Sequence, residues 1–147
     1  DLHKAIRRQR QMCIRDRYYL PEGTWTELLT EETKEGGRWY KGTYDYFSMP
    51  LYIRENSIVV RGNCDTRPDY DYADHATVCV YQLKDAAETK VPDVHGNTVF
   101  TVKAVKEGDA VKVSVEGAHT ELKVEVFVGN EKKEAVLAAD ADEVVVA

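Results

Sequence analysis

The sequence has little of what builds metal sites, disulfide frameworks or helices. Its 147 residues include three cysteines, with no C-x-x-C pair, and none of the four histidines stands at a zinc-like interval. This spacing argues against a metal site. Residues 18–147 never sustain the apolar period of an amphipathic helix. No serine or cysteine nucleophile motif accompanies His75, His95 or His119, so none of them is predicted to be catalytic.

The first seventeen residues do not resemble evolved protein sequence. Residues 7–17 (RRQRQMCIRDR) back-translate, with one codon choice per residue, into a common transposase-type DNA sequencing adapter in frame. Asp1, Leu2 and His3 fit the end of the matching flow-cell primer. Residues 1–17 are therefore predicted to be an artefact comparable to a fusion scar, and to be unstructured. A basic arm that binds nucleic acid or membrane is the alternative.

An adapter joined to coding sequence implies that the native N-terminus is missing, together with any signal peptide or upstream domain. The chain also stops inside an apolar run at Ala147, which leaves a truncated C-terminus open. Without the net +4 of residues 1–17, the formal net charge of −6 becomes −10. Binding to phosphate backbones depends mainly on Lys and Arg, so neither nucleic acid nor membrane is predicted as a partner.

The second half of the sequence shows the alternation of half-buried strands. The clearest strand covers residues 110–116, where valines alternate with polar residues. Residues 99–105 and 122–128 repeat the pattern, and Glu125 is predicted to face away from the apolar side. The predicted apolar sides of these three strands consist of Val111, Val113 and Val115; Phe100, Val102 and Ala104; and Leu122, Val124, Val126 and Val128.

Residues 76–83 (ATVCVYQL) are apolar on both faces and predict a central, buried strand. Cys79 within it is predicted to be a small core residue, although a Cys64–Cys79 disulfide stays open. Gly and Asn at residues 95–97, 107–109 and 129–130 predict turns between the strands. Five or six short strands from residue 76 onward predict an all-β fold, an antiparallel β-sandwich.

Residues 18–62 are richer in aromatic residues and are predicted to form a separate domain of short strands. Residues 51–53 and 57–61 are predicted to pair with each other across Glu55 and Asn56. An acidic connector follows, so the predicted domains are residues 18–62 and 63–147.

Four strings in this region are more specific than a strand pattern. They are YYLPEGTWTELLT at residues 18–30, GGRWY at 36–40, MPLYIRENSIVVRGN at 49–63 and DTRPDYDY at 65–72. Their succession resembles the region that follows the catalytic barrel in glycoside hydrolase family 31. The last string is similar to the bacterial α-xylosidase branch of that family. The resemblance is carried by residues 18–85.

The resemblance implies a fragment of a multidomain retaining α-glycosidase, containing the end of the proximal C-terminal β-domain and most of the distal β-sandwich. The family's catalytic aspartates lie on barrel loops, and no Asp of this sequence matches their motifs. No catalytic residue, cofactor or metal ligand is therefore predicted, and the fragment is predicted to be inactive. Its implied partner is the catalytic barrel of the parent chain, which alone would bind the α-glycoside substrate. Bacterial relatives imply a cytoplasmic location.

Several residues outside these motifs suggest sites. The carboxylates of the connector suggest a calcium site, but their spacing lacks the glycine and terminal glutamate of a calcium loop, so a solvated connector is predicted. These carboxylates are Asp65, Asp69, Asp71 and Asp74. Trp39, Tyr70 and Tyr72 offer ring faces for sugar stacking, although burial between domains is the favoured interpretation. Arg54 is assigned a structural role rather than a role beside a barrel carboxylate.

Two other functions remain open for the chain: a free-standing carbohydrate-binding β-sandwich and an immunoglobulin-like interaction module. Saturable binding of oligosaccharides by the fragment would favour the first. An exposed apolar patch with a protein partner would favour the second. On the leading interpretation, residues 18–62 expose strand edges and aromatic rings, whereas residues 76–147 close a core.

Overall fold

The computed structural model of the chain describes residues 14–44 and 47–147, which form thirteen β-strands and no helix. The predicted all-β class is therefore confirmed. None of the described residues belongs to a helix long and apolar enough to cross a membrane. The chain divides into two compact units, Asp1–Arg54 and Glu55–Ala147.

The first unit contains two small antiparallel sheets. β1 (Ile14–Leu20) pairs with β4 (Arg38–Tyr44). In the other sheet, β2 (Thr24–Glu27) lies between β3 (Thr33–Glu35) and β5 (Tyr52–Arg54). The short strands and frequent turns follow from the Gly-rich and Pro-containing sequence between them.

Two of the sequence motifs meet at the end of the β1–β4 ladder. The backbone N–H of Gly36 donates to the Gly23 carbonyl at 2.7 Å, and that of Gly37 donates to the Leu20 carbonyl at 2.8 Å. A Cβ atom at Gly36 would overlap the Pro21 carbonyl, so only glycine fits there. The YLPEG and GGRWY strings therefore form one structural element.

β1 corrects the prediction for residues 14–17, which were expected to be unstructured together with residues 1–13. The strand begins at Ile14, and Ile14 to Arg17 pair with Tyr44 to Lys41. A strand ladder joins backbone N–H and C=O groups, so it can extend through residues of any origin. Residues 1–13 lie outside the described residues, and the adapter origin of residues 1–17 stays a prediction.

The second unit contains two four-stranded sheets. One has the order β12-β11-β7-β6, formed by Glu131–Leu137, Leu122–Val128, Thr77–Tyr81 and Ser57–Arg61. The other has the order β13-β10-β9-β8, formed by Glu143–Val146, Ala110–Gly117, Thr98–Glu107 and Ala86–Pro92.

Apolar side chains from both sheets form one continuous core in the second unit. The alternating residues of β10 and β9 point into it, as predicted: Val113, Val102 and Ala104 have no exposed surface, and Phe100 is 1% exposed. The sandwich architecture is therefore confirmed, with seven strands after residue 76 rather than five or six. Gly108 has a φ of 65° in the tight β9–β10 turn. This confirms the predicted turn, since glycine adopts a positive φ at little cost.

The domain boundary differs from the predicted one. β6 pairs with β7, whereas β5 pairs with β2, so the predicted pairing of residues 51–53 with 57–61 is wrong. The division accordingly lies between Arg54 and Glu55 instead of at residues 62 and 63. The turn sequence at Glu55 and Asn56 predicted a hairpin, but each of the two strands pairs with a strand of its own unit instead.

The sheet containing β7 also departs from a purely antiparallel pattern. β7 and β11 are parallel neighbours, with Val78 opposite Val124. Parallel central strands are covered on both faces, which agrees with the two-faced apolar sequence of β7. Coverage of both faces reverses the prediction for Glu125, which is 3% exposed. Val128, the last residue of β11, was predicted to lie on the apolar side and is 45% exposed. Cys79 is buried as predicted, and Cys64 and Cys79 are both free thiols.

Candidate functional site

Tyr70 and Tyr72 lie together on the connector between β6 and β7. Their ring centroids are 4.9 Å apart with an interplanar angle of 89°, a favourable edge-to-face arrangement. The Tyr72 hydroxyl donates to the Pro68 carbonyl at 2.8 Å, which holds the ring from its polar end. A Cβ atom at Gly62 would overlap the Tyr70 side chain, so this glycine makes room for the pair.

A cleft of about 840 Å³ runs beside the two rings. Its lining combines tyrosine rings and aliphatic side chains with acidic residues and one arginine. The lining residues are Arg67, Pro68, Asp69, Tyr70, Asp71, Tyr72, Asp93, Val94 and Val99. The structure therefore brings two residues of the predicted acidic cluster and both tyrosines into one concave surface.

The opposite wall of the cleft is a turn that the sequence interpretation did not connect with the tyrosines. Asp93 Oδ1 accepts hydrogen bonds from the backbone N–H groups of His95 and Asn97, both at 2.8 Å. The Asn97 side-chain amide donates to Asp93 Oδ2 at 3.0 Å, and this bond, with those from the backbone, lowers the pKa of Asp93. The DVHGN string marks a turn, but only the fold shows that it faces the connector.

Two of the connector carboxylates contact residues close to them in the sequence. Asp71 Oδ1 accepts a hydrogen bond from the Ala73 backbone N–H at 3.0 Å, and Asp74 Oδ1 lies 2.7 Å from His75 Nδ1. Among residues 14–44 and 47–147, no three His, Cys, Asp or Glu side chains converge as metal ligands do.

Trp39 belongs to the other unit, on β4. Its side chain is 69% exposed, and its ring lies 5.6 Å from that of Tyr19 across the β1–β4 ladder. An open depression of about 640 Å³ beside it is lined by Arg17, Trp39, Tyr40 and Lys41. Trp39 is exposed in this chain, so its burial between domains of the parent stays a prediction. Arg54, opposite Trp25 on β2, is exposed as well.

A cluster of polar groups around Lys34 was not predicted. Lys34 Nζ donates to the Tyr52 hydroxyl at 2.6 Å and to Glu27 Oε2 at 3.3 Å. The Tyr18 and Tyr52 hydroxyls are 2.6 Å apart, and Tyr44 donates to Tyr18 at 3.0 Å. Burial lowers the pKa of Lys34, but the bonds to Tyr52 and Glu27 outweigh it, and the net pKa is raised. The amine is therefore protonated and serves as a structural cation.

Among the described residues two carboxylates are buried, and a cation holds each of them. Glu27 is 7% exposed and pairs with Lys34, whereas Glu125 is 3% exposed and lies 2.7 Å from Arg61 and 2.9 Å from Lys123. Burial raises the pKa of Glu125, but the Lys123 bond and the Arg61 charge outweigh it, so its pKa is lowered. The Glu125 carboxyl is therefore not poised to deliver a proton near neutral pH.

Comparisons with known proteins give the class of this fold. The family model described as "Glycosyl hydrolase family 31 C-terminal domain" matches residues 8–59, and "Alpha-xylosidase YicI, C-terminal domain" matches residues 71–147. The chain belongs to the α-xylosidase branch of glycoside hydrolase family 31, as a C-terminal fragment. The first match begins inside the segment that resembles adapter sequence.

Two curated proteins are similar to this chain. "Alpha-xylosidase XylQ" of Lactiplantibacillus pentosus is 28% identical over 118 residues, which cover 78% of this chain and 16% of the relative. "Alpha-glucosidase 2" of Bacillus thermoamyloliquefaciens is 27% identical over 115 residues, which cover 77% of this chain and 14% of the relative. The chain thus spans less than one fifth of either protein.

Solved structures show the same fold. A cycloalternan-forming enzyme from Listeria monocytogenes matches with a TM-score of 0.72 and 16% identity, over 90% of this chain and 16% of that one. The family 31 α-xylosidase from Xanthomonas citri matches with a TM-score of 0.63 and 21% identity, over 90% of this chain and 17% of that one.

Proposed function

We propose that this chain is the non-catalytic β-domain support of a retaining, α-xylosidase-like glycosidase. The observation that carries the proposal is the position of the matches: both family models describe C-terminal domains, and the chain covers 16% of the matched α-xylosidase XylQ. The parent protein would hydrolyse an α-glycosidic bond on its barrel, and the β-domains would hold that barrel in place.

The chemistry of the described carboxylates supports a non-catalytic role. Retaining glycosidases use two carboxyl groups about 5 Å apart, one as nucleophile and one as acid, and the acid needs a raised pKa. Glu27 and Glu125 lie in different units, and each is held by a cation. The lowered pKa of Glu125 is the opposite of what a general acid requires.

The exposed apolar side chains of the first unit support docking against another part of the parent chain. Large apolar residues that are substantially exposed there include Tyr19, Leu29, Trp39, Phe47, Met49 and Leu51. Trp39 and Phe47 are 69% and 89% exposed. We propose that this surface contacts the catalytic barrel of the parent chain, and that the chain binds neither nucleic acid nor membrane.

A cytoplasmic location for the parent remains part of this proposal. The free thiols of Cys64 and Cys79 are compatible with it, because reducing compartments keep thiols unpaired.

The test is to recover the complete reading frame and to express it with and without residues 18–147. The complete protein is expected to hydrolyse p-nitrophenyl α-D-xyloside, the shortened one to be insoluble or inactive, and the 147-residue chain alone to show no turnover. Turnover by the chain alone would disprove the proposal. An open reading frame without a carboxylate-bearing barrel upstream would disprove it equally.

A further inference from the structure

The cleft beside Tyr72 combines aromatic rings with carboxylates and a guanidinium, a combination that a support role does not require. We propose that it binds a neutral oligosaccharide, with the Tyr72 ring stacking on a sugar face and Asp69 and Asp93 accepting bonds from sugar hydroxyls. The proposal goes beyond the support function and involves only residues of the unit Glu55–Ala147.

The size and position of the cleft suit such a ligand. Its volume of about 840 Å³ lies within the usual range of small-molecule sites, about 300–1,000 Å³. One wall is the connector before β7 and the other is the turn between β8 and β9. Loops at the end of a β-sandwich are a common place for recognition, because the sheets hold them in fixed positions.

The aromatic surface is held in position before any ligand arrives. Tyr72 is 39% exposed, so part of its ring is open to solvent. The edge-to-face contact with Tyr70 and the hydroxyl bond to Pro68 restrict the ring at both ends. A ring that is already ordered loses little conformational entropy on binding, and it presents an apolar face to the C–H groups of a sugar.

Asp93 is an acceptor in a fixed position. Three hydrogen bonds from the β8–β9 turn orient Asp93, and its lowered pKa keeps it ionised at neutral pH. A carboxylate has about four acceptor sites, so Asp93 retains capacity for a further donor. Sugar hydroxyls are suitable donors, and Arg67 at the same cleft supplies a guanidinium for a hydroxyl or ring oxygen.

The net negative charge of the cleft lining limits the chemical class of ligand that the cleft can bind. Three carboxylates against one guanidinium disfavour phosphate and other anions. A bare cation is not favoured either, since no three potential ligands converge anywhere in the described parts of the chain. A neutral molecule rich in hydroxyl groups can stack on the Tyr72 ring and also donate hydrogen bonds to the carboxylates.

The experiment is a titration of the ¹⁵N-labelled 147-residue chain with isoprimeverose and, separately, with maltotriose. We expect saturable amide shifts for at least one sugar, concentrated in residues 67–72 and 93–99. Tyr72→Ala is expected to weaken binding about tenfold, as loss of a stacking contact would, whereas Tyr72→Phe keeps the ring and binds nearly as well. Tyr19→Ala removes an exposed tyrosine of the other unit and is the matched control.

Asp69→Ala provides a second variant, at an exposed position of the cleft lining, and it is expected to weaken binding several-fold. Unchanged shifts of the β9 and β10 amides show that each variant is folded. Absence of saturable shifts with both sugars would overturn the proposal, as would unchanged affinity in folded Tyr72→Ala. Either result leaves the support function intact, because that function is tested on the complete enzyme.

Discussion

Different kinds of contact stabilise each of the two units internally. In the described part of Asp1–Arg54, the buried side chains are Leu20, Thr26 and Glu27. The side chains at its centre are joined by hydroxyl, ammonium and carboxylate groups around Lys34. In Glu55–Ala147, two sheets enclose a continuous apolar core that includes the fully buried Val80, Val102 and Leu122.

This difference indicates which unit can fold by itself. A single hydrogen bond contributes about 0.5–1.5 kcal/mol net, whereas burial of one large apolar side chain contributes about 1.5–3 kcal/mol. The second unit therefore has the larger source of stability. The first unit exposes apolar surface that another part of the parent protein is proposed to cover.

The largest expected difference between the units is in limited proteolysis of the whole chain. We expect cleavage within residues 14–54 and a resistant product that begins near Glu55, because the first unit has little buried apolar surface. Mass spectrometry of the products identifies the cut. Equal protection of both units would mean that the first has a source of stability that these contacts do not provide.

Phe100→Ala is expected to cost about 3–5 kcal/mol of unfolding free energy, because it leaves a cavity in the core of the second unit. Phe100 is 1% exposed on β9. The matched control is Val105→Ala on the same strand, which is 42% exposed and is expected to cost less than about 0.5 kcal/mol. Urea unfolding followed by circular dichroism measures both, and similar losses would contradict the assigned core.

Glu125→Gln is expected to destabilise the second unit by about 1–3 kcal/mol at neutral pH, because Arg61 and Lys123 lose their charged partner. The pKa of Glu125 is lowered in the folded chain, so its contribution is present above the unfolded value of about 4.3 and is lost as the pH falls through the folded value. The difference between wild type and variant should therefore shrink below about pH 4. A constant difference across this range in urea titrations would contradict the assignment.

Tyr52→Phe is expected to loosen the first unit by about 0.5–1.5 kcal/mol, because it removes the hydroxyl that accepts from Lys34. The pKa of Lys34 is raised, so this stabilisation is present below the unfolded value near 10.4 and is lost as the pH rises through the folded value. Hydrogen exchange of the β2 and β5 amides measures the effect at neutral pH. Tyr19→Phe is the control, and equal exchange in both variants would contradict a role for the cluster.

The smallest effect is expected for Trp39→Ala, which should change the stability of the isolated chain by less than about 0.5 kcal/mol, because the side chain is largely exposed. Thermal unfolding compares it with Leu20→Ala, whose side chain is 5% exposed and whose loss should be larger. In the complete parent protein, Trp39→Ala should lower the melting temperature if the barrel covers this ring. A large loss already in the isolated chain would contradict its exposure.

Local patterns predicted much of this fold correctly. The alternation around Val113 and Phe100 identified the inward faces of two strands, and the glycine at 108 identified their turn, because such features depend on residues close in sequence. The tyrosines of the cleft were recognised as candidates from the connector sequence. Their opposite wall at Asp93 was not, since it lies on a turn of another hairpin.

By itself, the sequence determined the strand character, most of the faces that point inward and the motifs that place the chain in its family. These depend on side-chain alternation, turn residues and short strings. Tertiary structure alone decided that β6 joins β7, that β7 and β11 run parallel, and that Glu125 is buried beside Arg61. The reason is physical: a strand can form its backbone ladder with any available edge, and what covers each face depends on residues far away in the chain.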